Sequence, residues 1–354
     1  MAQPPLRVVF RLAAGPRIGY GHLLRSLHLS RALRTSFVVS LRGGRAAAVV
    51  ARRLEARIDS RAPRDALTRS TDALIVDDPS PHGSDAWVRA ARARGIPVVS
   101  LHDLGIAPRE ADVSIDGSVA PGRTMTFRGP RYVILDPRVR RLRAAVAARS
   151  PRRRRPMIVV SLGGGPRTAV AMRIARALVG RVNADLTVFL GLGRRSRRWD
   201  GASLDGVRVA GPSDAFLDTL ARADVAVLGG GVTLYESAAL GVVAVPLSVV
   251  RAQCRTIVGF VRAGAAAGPV RSWSVHDRGA PRRLASLVAS LVGAPERRRA
   301  IARRGRLLVD GLGARRVARV VRRLIAAHRR RRGGEVTTYP PVGESHAGRE
   351  RRPR

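Results

Sequence analysis

The chain of 354 residues has no lysine, one cysteine (Cys254) and only 4% aromatic residues. A single cysteine excludes an internal disulfide and a cysteine-based zinc cluster. Without lysine, a Walker-type loop is excluded, because its lysine contacts the bound phosphates. No run of about 18 uninterrupted apolar residues occurs, so no membrane-spanning helix is predicted. The N-terminal segment enters a predicted strand without an apolar signal core, and we expect a cytoplasmic protein.

Positive charge is in large excess, and arginine supplies all of it. The 66 basic residues against 25 acidic residues give a formal net charge of +41. Drift towards GC-rich codons is the favoured interpretation, since alanine, glycine and proline are also abundant. The alternative is a field that attracts an anionic membrane surface or an acidic substrate, which leaves peripheral membrane association open. Dedicated nucleic-acid binding is disfavoured, because aromatic stacking residues are scarce.

Short apolar, β-branched runs alternate with longer segments of helical period in the first half of the chain. This alternation predicts an α/β fold with a parallel sheet. Several of the runs are apolar throughout, as expected for strands covered by helices on both faces. The predicted strands are 6–12, 36–41, 73–77, 97–102, 113–116 and 132–135, and the predicted helices are 22–34, 46–56 and 84–94.

Residues 150–156 place two prolines around four arginines, which suits neither a helix nor a central strand, so we interpret them as an interdomain linker. After this linker the pattern restarts and predicts a second domain of similar design. Its predicted strands are 157–162, 186–190, 207–210, 225–228 and 243–249, and its predicted helices are 168–179, 214–221, 233–240, 254–263, 281–292 and 314–328. The sequence thus predicts two doubly wound Rossmann-like domains, residues 1–150 and 151–328, facing across a cleft. A disordered Arg-rich tail is expected over 329–354.

The segment Gly19-Tyr20-Gly21-His22 follows the first predicted strand and starts a helix. In open parallel sheets, ligands bind beyond the carboxyl ends of strands, where helix N-termini attract anions. A helix N-terminus disfavours a cation, so it favours a neutral imidazole that can accept a proton. Glycines at 19 and 21 would let a substrate approach the backbone. Alternatively, His22 only starts the helix or packs beneath Tyr20.

A second glycine cluster, residues 229–231, follows the strand predicted over 225–228, and Thr233 then opens a helix. Glycines allow positive φ angles and a nest of N–H groups for phosphate oxygens. Thr233 and Glu236 have the spacing of a capping box, in which the glutamate binds the N-cap amide. The functional alternative places the Glu236 carboxylate on paired ribose hydroxyls. Sequence alone leaves both interpretations open.

A third cluster, Gly163-Gly164-Gly165, is interpreted equally well as a phosphate-facing turn or as a tight strand–helix connection. Neither the cluster at 163–165 nor the cluster at 229–231 fits the fingerprint Gly-x-Gly-x-x-Gly, so nicotinamide dinucleotide binding is not predicted. The strand-end aspartates could bind a metal ion, but isolated carboxylates are common at such positions. We therefore predict no metal and no cofactor. These aspartates are Asp77, Asp78 and Asp103.

The ordered combination of these motifs resembles two known families over most of residues 6–270. Arg11 followed by Ile-Gly-Tyr-Gly-His-Leu-Leu-Arg at 18–25 resembles the N-terminal signature of the UDP-sugar hydrolase of pseudaminic acid biosynthesis. Related spore-coat polysaccharide glycosyltransferases share that signature. The later segment resembles the C-terminal half of family 28 glycosyltransferases. It comprises Gly230, Gly231, Val232, Thr233, Glu236, Gly241, Pro246, Gln253, Gly264, Ala265 and Ala266.

The resemblance implies the two-domain GT-B fold and a UDP-sugar held mainly by the C-terminal domain. It implies that His22 acts as a general base and that the anomeric carbon is inverted. It places the loop 230–233 on the diphosphate and Glu236 on the ribose. The predicted nucleotide-sugar site comprises Arg11, Gly19, Gly21, Gly163, Gly164, Gly230, Gly231, Val232, Thr233, Glu236 and Gln253.

Two departures bear on the reaction. The hydrolase signature has an aspartate where this chain has Ala13, and an aromatic residue where Pro79 follows Asp78. Transfer to a sugar, lipid-linked or polysaccharide acceptor is therefore favoured over hydrolysis, in which water is the nucleophile. A non-catalytic sugar-nucleotide-binding protein is the remaining alternative, and Ala13 is its best support.

Arginines near the cleft are expected to help stabilise the departing UDP, together with loop amides and the dipole of the helix opened by Thr233. Arg11, Arg17 and Arg25 are the candidates. Arg25 is preferred as a second catalytic residue, because it lies about one turn after His22 on the same helix. Its alternative is an exposed helix arginine.

Overall fold

A computed structural model describes residues 5–332 apart from 17, 81, 103–109, 123, 148–154, 164–166, 192–202, 205, 212 and 214. Most of the predicted linker and the tail beyond Arg332 therefore lie outside the described residues. So do four residues named above, namely Arg17, Asp103, Gly164 and Gly165.

The first domain is built on a parallel sheet of seven strands in the spatial order β3-β2-β1-β4-β5-β6-β7. The order reverses between β1 and β4, which is the topology of a doubly wound sheet. The strands are β1 (Val8–Ala13), β2 (Val38–Arg42), β3 (Arg57–Ile58), β4 (Ala73–Asp77), β5 (Val98–His102), β6 (Val113–Asp116) and β7 (Phe127–Arg128). The helices between them are α1 (Gly21–Leu33), α2 (Arg45–Arg53), α3 (Pro63–Ala66) and α4 (Asp85–Arg92).

One strand prediction in this half is wrong. Residues 130–132 form a single 3₁₀ turn, so no strand spans 132–135. Gly129 precedes the turn at φ 97°, and the amide of Val133 closes it on the carbonyl of Pro130. Proline lacks the N–H that a central strand needs, so the chain leaves the sheet here, directly after β7.

The second domain is built on six strands in the order β10-β11-β9-β8-β12-β13, of which only β10 is antiparallel. Here the order reverses between β8 and β12. The strands are β8 (Met157–Ser161), β9 (Asp185–Phe189), β10 (Ser203–Leu204), β11 (Val207–Ala210), β12 (Val225–Gly229) and β13 (Val243–Leu247). The helices in the remainder of the chain are α5 (Arg138–Ala147), α6 (Thr168–Leu178), α7 (Phe216–Leu220), α8 (Val232–Leu240), α9 (Cys254–Arg262), α10 (Ala280–Val292), α11 (Pro295–Leu308) and α12 (Gly313–Arg332).

The last helix, α12, packs on the first domain and not on the second, where we expected it. Val317 and Val321 share one buried cluster with Leu23 and Leu29 of α1. An amphipathic pattern shows that a helix buries one face but does not say which domain covers it. The helix also continues to Arg332, so the expected disorder is wrong for residues 329–332.

Further contacts join the two domains. The amide of Val119 donates to the hydroxyl of Tyr235 at 3.0 Å. Helix α5 precedes the predicted boundary at 150 but packs on α8 of the second domain. From α5, the Arg143 guanidinium donates to the carbonyls of Ala239 (2.9 Å) and Val309 (2.8 Å). Among the helices within the described ranges, none is long and apolar enough to cross a membrane.

Candidate active site

A cavity of about 350 Å³ lies between the two domains. It is lined by the segment 19–22 of the first domain and by the glycine cluster 229–231 of the second. A Cβ atom placed on Gly21 would lie 3.8 Å from Cγ2 of Val232 in the opposite domain. The structure therefore brings the two motifs together across one cleft. The predicted residues on its wall are Gly19, Gly21, His22, Arg25, Gly163, Gly230, Gly231, Val232, Thr233 and Gln253.

The sheet topology explains why both motifs meet here. Helix α1 follows β1, and β1 pairs with β4 at the reversal point of the first sheet. The loop after β12 lies beside the loop after β8 at the reversal point of the second sheet. Beyond such reversal points, adjacent connections turn to opposite faces of the sheet and leave a crevice for a ligand.

Asp77, the last residue of β4, binds the imidazole of His22. Nδ1 of His22 lies 2.8 Å from Oδ1 of Asp77. The carboxylate also accepts from Nε of Arg25 at 2.6 Å, from Nη2 of Arg25, and from Oγ of Ser26 at 3.3 Å. A carboxylate offers about four lone-pair sites, and these contacts use all of them. The orientation of Asp77 is thereby fixed.

The ionised Asp77 sets the tautomer of His22. Complete burial would raise the pKa of Asp77, but the neighbouring Arg25 and His22 hold it well below its usual range. An ionised Asp77 accepts a proton-bearing Nδ1 and favours the tautomer in which Nε2 carries a lone pair. The imidazole is 12% exposed and lines the cleft. Nε2 makes no hydrogen bond to any described residue, so it is available to accept a proton from a nucleophile.

Arg25 is not the exposed helix arginine of the alternative interpretation. It is buried, and its guanidinium holds the carboxylate of Asp77. Its Nη2 also lies 3.0 Å from Nδ1 of His22. Two donors do not hydrogen-bond to each other, so Arg25 acts on the imidazole through Asp77. Arg25 is therefore a positioning residue for His22.

Arg11 does not reach the cleft, contrary to its predicted role at the nucleotide sugar. Its guanidinium donates to the carbonyl of Gly83 at 2.8 Å and to Oγ of Ser40 at 3.2 Å. It also lies 5.6 Å from the ring centroid of Trp87. Side chains alternate between the two faces of a strand, and this position of β1 points away from the site.

The loop after β12 needs glycine for packing, not for the positive φ angles that we expected. None of residues 229–231 has a positive φ. A Cβ atom on Gly230 would lie 2.8 Å from Cγ1 of Ile257 and 2.9 Å from Cβ of Gln253. The N-cap of α8 is Gly231, and no side chain caps this end of the helix. Its first amides therefore face the cleft without a side-chain partner, which suits an anion.

Gln253 holds this loop in place. Its Oε1 accepts from the amides of Gly230 (3.2 Å) and Val249 (3.0 Å), which tie the loop after β12 to the end of β13. After the neighbouring strand β8, Gly163 has φ 85° and also lines the cleft. Gly163 and Gln253 thus both shape the second-domain wall of the cleft.

Glu236 does not form the capping box that its spacing with Thr233 suggests, because Gly231 is the N-cap and no side-chain cap bond is present. Glu236 is 9% exposed as a whole residue, its carboxyl group makes no hydrogen bond within the described part of the chain, and it is not on the cleft wall. Burial and the neighbouring Asp136 raise the pKa of Glu236 to about 7, against the opposing charge of Arg138. The structure thus excludes the capping interpretation and does not place Glu236 in the cleft.

Sequence reasoning missed three residues at the site. Asp77 was considered only as a metal ligand, although its position at a strand end next to β1 was the available signal. His102, at the end of β5, lines the cleft, and its Nε2 lies 2.7 Å from Oγ of Ser100. Arg167, directly before α6, also lines the cleft.

Two of the three aspartates considered as metal ligands lie within the described residues, and both have other partners. Asp77 binds His22 and Arg25, and Asp78 accepts from Nε of Arg42 at 2.7 Å. Over the described ranges, no three His, Cys, Asp or Glu side chains converge as a metal site requires.

Known structures share this architecture over nearly the whole chain. MurG of Acinetobacter baumannii has a TM-score of 0.65 at 16% identity, over 90% of this chain and 99% of its own. The calicheamicin glycosyltransferase CalG4 has a TM-score of 0.59 at 14% identity, over 91% and 98%. The UDP-GlcNAc 2-epimerase of Neisseria meningitidis, bound to UDP-GlcNAc, has a TM-score of 0.58 at 12% identity, over 90% and 100%.

The protein thus has the α/β GT-B fold, as predicted. Identities this low establish the shared fold and do not assign an activity. No protein-family profile matches the chain, and no curated protein sequence matches it.

Proposed function

We propose that the protein is an inverting glycosyltransferase that uses a UDP-sugar donor in the synthesis of a surface polysaccharide or a related glycan. One observation carries the proposal. The His22–Asp77 pair of the first domain faces the glycine loop and the open N-terminus of α8 across one cleft. A proton acceptor and an anion site on opposite walls are the two parts that direct displacement of a nucleotide requires.

The reaction follows from this geometry. Nε2 of His22 takes the proton of the acceptor hydroxyl, and the acceptor oxygen bonds to the anomeric carbon. The bond from that carbon to the diphosphate breaks, its electron pair leaves with UDP, and attack from the opposite face inverts the carbon. Asp77 stabilises the imidazolium that forms, and the amides of α8 stabilise the departing negative charge. The resemblance of the loop at 230–233 to family 28 glycosyltransferases supports UDP as the carrier.

Apolar side chains at the mouth of the cleft favour transfer over hydrolysis. Ile18 and Leu24, on either side of His22 in sequence, are each 39% exposed, and Val250 on the opposite wall is 45% exposed. Exposed apolar side chains grouped at a cleft mark a binding surface. A carbon-rich acceptor, such as a lipid-linked sugar, gains from this surface, whereas water needs none of it.

UDP-sugar hydrolysis of the pseudaminic-acid type is the second candidate. It is supported by the sequence resemblance at residues 18–25 and by the His22–Asp77 pair, which could activate water as well as a hydroxyl. The two activities are separated by incubating the protein with a panel of UDP-sugars and following UDP release by mass spectrometry, with and without acceptor. Release that requires acceptor supports transfer, and release in its absence supports hydrolysis.

His22→Ala tests the catalytic assignment. We expect kcat to fall by about 10²- to 10⁴-fold, as for loss of a general base, with little change in UDP affinity. His82→Ala is the matched control, because His82 is exposed and contacts Asp85 away from the cleft. Full turnover by His22→Ala would overturn the base assignment. UDP binding by the wild-type protein without any turnover would favour a non-catalytic binding protein.

A further inference from the structure

The loop that follows β6, residues 117–122, reaches from the first domain into the second. The side chain of Val119 packs against the buried cluster that contains Tyr235 and Phe260. Its amide donates to the hydroxyl of Tyr235 at 3.0 Å. A Cβ atom on Gly259 would lie 2.5 Å from Cγ1 of Val119, so this glycine leaves the space that Val119 fills. Val119 is thus held in the second domain by packing and by a hydrogen bond.

The same loop is fixed to the first sheet. Asp116, the last residue of β6, is fully buried. Its carboxyl group accepts from the amides of Ser118 (2.8 Å) and Gly122 (3.0 Å), which lie near the two ends of the loop. Movement of the loop would leave these buried groups without hydrogen-bond partners. Val119 therefore takes its position from β6.

Tyr235 is constrained on the other side of the contact. It lies one turn after Gly231, the N-cap of α8, and it lines the cleft. Its ring packs edge-on against Phe260, with the ring centroids 4.8 Å apart and an interplanar angle of 81°. The hydroxyl of Tyr235 therefore moves with the start of α8, where the proposed anion site lies.

A continuous series of contacts thus connects the two functional parts of the cleft. In the first domain, only β5 separates β6 from β4, and β4 ends in Asp77, which orients His22. In the second domain, Tyr235 belongs to the helix that forms the anion site. Direct displacement needs the base and the leaving group at a defined separation, and misplacement by about 1 Å can cost about 10²-fold in rate.

We infer that Tyr235 is a positioning residue, whose hydrogen bond to the amide of Val119 sets the separation between His22 and the start of α8. The inference rests on the proposed function and adds to it a residue that acts through the placement of α8. Because the contact acts through geometry, its loss should lower kcat without weakening the binding of the nucleotide to the second domain.

Tyr235→Phe removes the hydroxyl and keeps the aromatic packing. For the UDP-sugar that the wild type turns over, we expect kcat to fall by about 10- to 100-fold. Affinity for UDP, measured by isothermal titration calorimetry, should stay unchanged. Tyr132→Phe is the matched control, because the Tyr132 hydroxyl lies on the same cleft and makes no hydrogen bond within the described residues. It should change neither value.

A second set of variants tests the contact from the side of Gly259. Gly259→Ala should displace Val119 and lower kcat in the same way, because its methyl group would overlap Cγ1 of Val119. Adding Val119→Ala removes that overlap and keeps the amide, so we expect it to restore most of the lost rate. Loss of packing alone predicts the opposite, namely that the effects of the two substitutions add.

Pulsed electron paramagnetic resonance measures the separation of the domains without turnover. Spin labels are placed at Arg53→Cys and Arg173→Cys, exposed positions in the first and second domains, in a Cys254→Ser background. We expect Tyr235→Phe to shift or broaden the distribution of distances between the labels, and Tyr132→Phe to leave it as it is.

The inference is overturned if Tyr235→Phe leaves either kcat or the distance distribution unchanged, or if UDP affinity falls in parallel with kcat. A wild-type protein that releases UDP from no UDP-sugar, with or without acceptor, would overturn the proposed function instead. In that case the distance distributions and UDP affinities decide whether the contact sets the separation of the domains.

Discussion

Glu236→Gln should stabilise the folded protein at alkaline pH and have little effect in acid. Glu236 lies on α8 and is buried, and its carboxyl group makes no hydrogen bond within the described residues. Burial and the nearby Asp136 disfavour its ionisation. Glutamine has nearly the same shape but no charge, so the substitution removes the cost of ionising a buried carboxyl group.

The magnitude follows from the pKa of Glu236, which rises from 4.5 to about 7 on folding. Below about pH 4.5 the group is protonated in both states and has no effect on stability. Between the two values the unfolded chain ionises while the folded protein keeps its proton, so stability falls as the pH rises. Above about pH 7 the whole cost is present. At 1.36 kcal/mol per pKa unit, this cost is about 3 kcal/mol.

Urea denaturation of wild type and Glu236→Gln at about pH 5 and about pH 8 measures this cost. The free energy of unfolding should differ by about 3 kcal/mol in favour of the variant at the higher pH and by less than about 1 kcal/mol at the lower pH. Glu296→Gln is the control, because Glu296 is exposed and pairs with Arg299, and it should show no such pH dependence. A variant that is destabilised at about pH 8, or equally affected at both pH values, would refute the reasoning.

Two further substitutions test the burial of polar groups and the packing of the glycine loop. Burial lowers the pKa of His28 to about 4, against the opposing charge of Asp136, so the folded protein loses stability as the pH falls from about 6.5 to 4. His28→Gln should therefore lose about 2 kcal/mol less than wild type between about pH 7 and pH 5 in urea denaturation, and an equal loss would contradict the assignment. Gly230→Ala should cost about 1–3 kcal/mol and weaken UDP binding in calorimetry, because its methyl group would overlap Ile257. Gly293→Ala has space for the methyl group and should change neither, and equal effects of the two substitutions would show that packing at Gly230 is not the cause.

The elements that sequence predicted best are the buried strands. Strands β4 and β6 begin and end where predicted, and every residue of each is buried, as expected for strands covered on both faces. Helices α5 and α11 were not predicted. In α11 only Ile301 and Gly305 are buried among many arginines, so no apolar stripe marks the helix.

The candidate site was predicted only in part, because some of its contacts are local in sequence and others are not. His22 was identifiable because the glycines that surround it are local in sequence. Its partner Asp77 lies 55 residues further along the chain, and their contact depends on the pairing of β1 with β4. Strand order is a property of the whole sheet. For the same reason, the position of Arg167 at the cleft could not be predicted without knowing that β8 pairs with β12.

The return of α12 to the first domain has a consequence for dissection of the protein. A fragment that ends at residue 150 would lack α12 and would expose apolar surface of α1 around Leu23 and Leu29. We expect such a fragment to aggregate unless residues 313–332 are appended to it. The polypeptide passes between the domains once before β8 and again between α11 and α12. We expect these two tethers to oppose free rotation of one domain about the other.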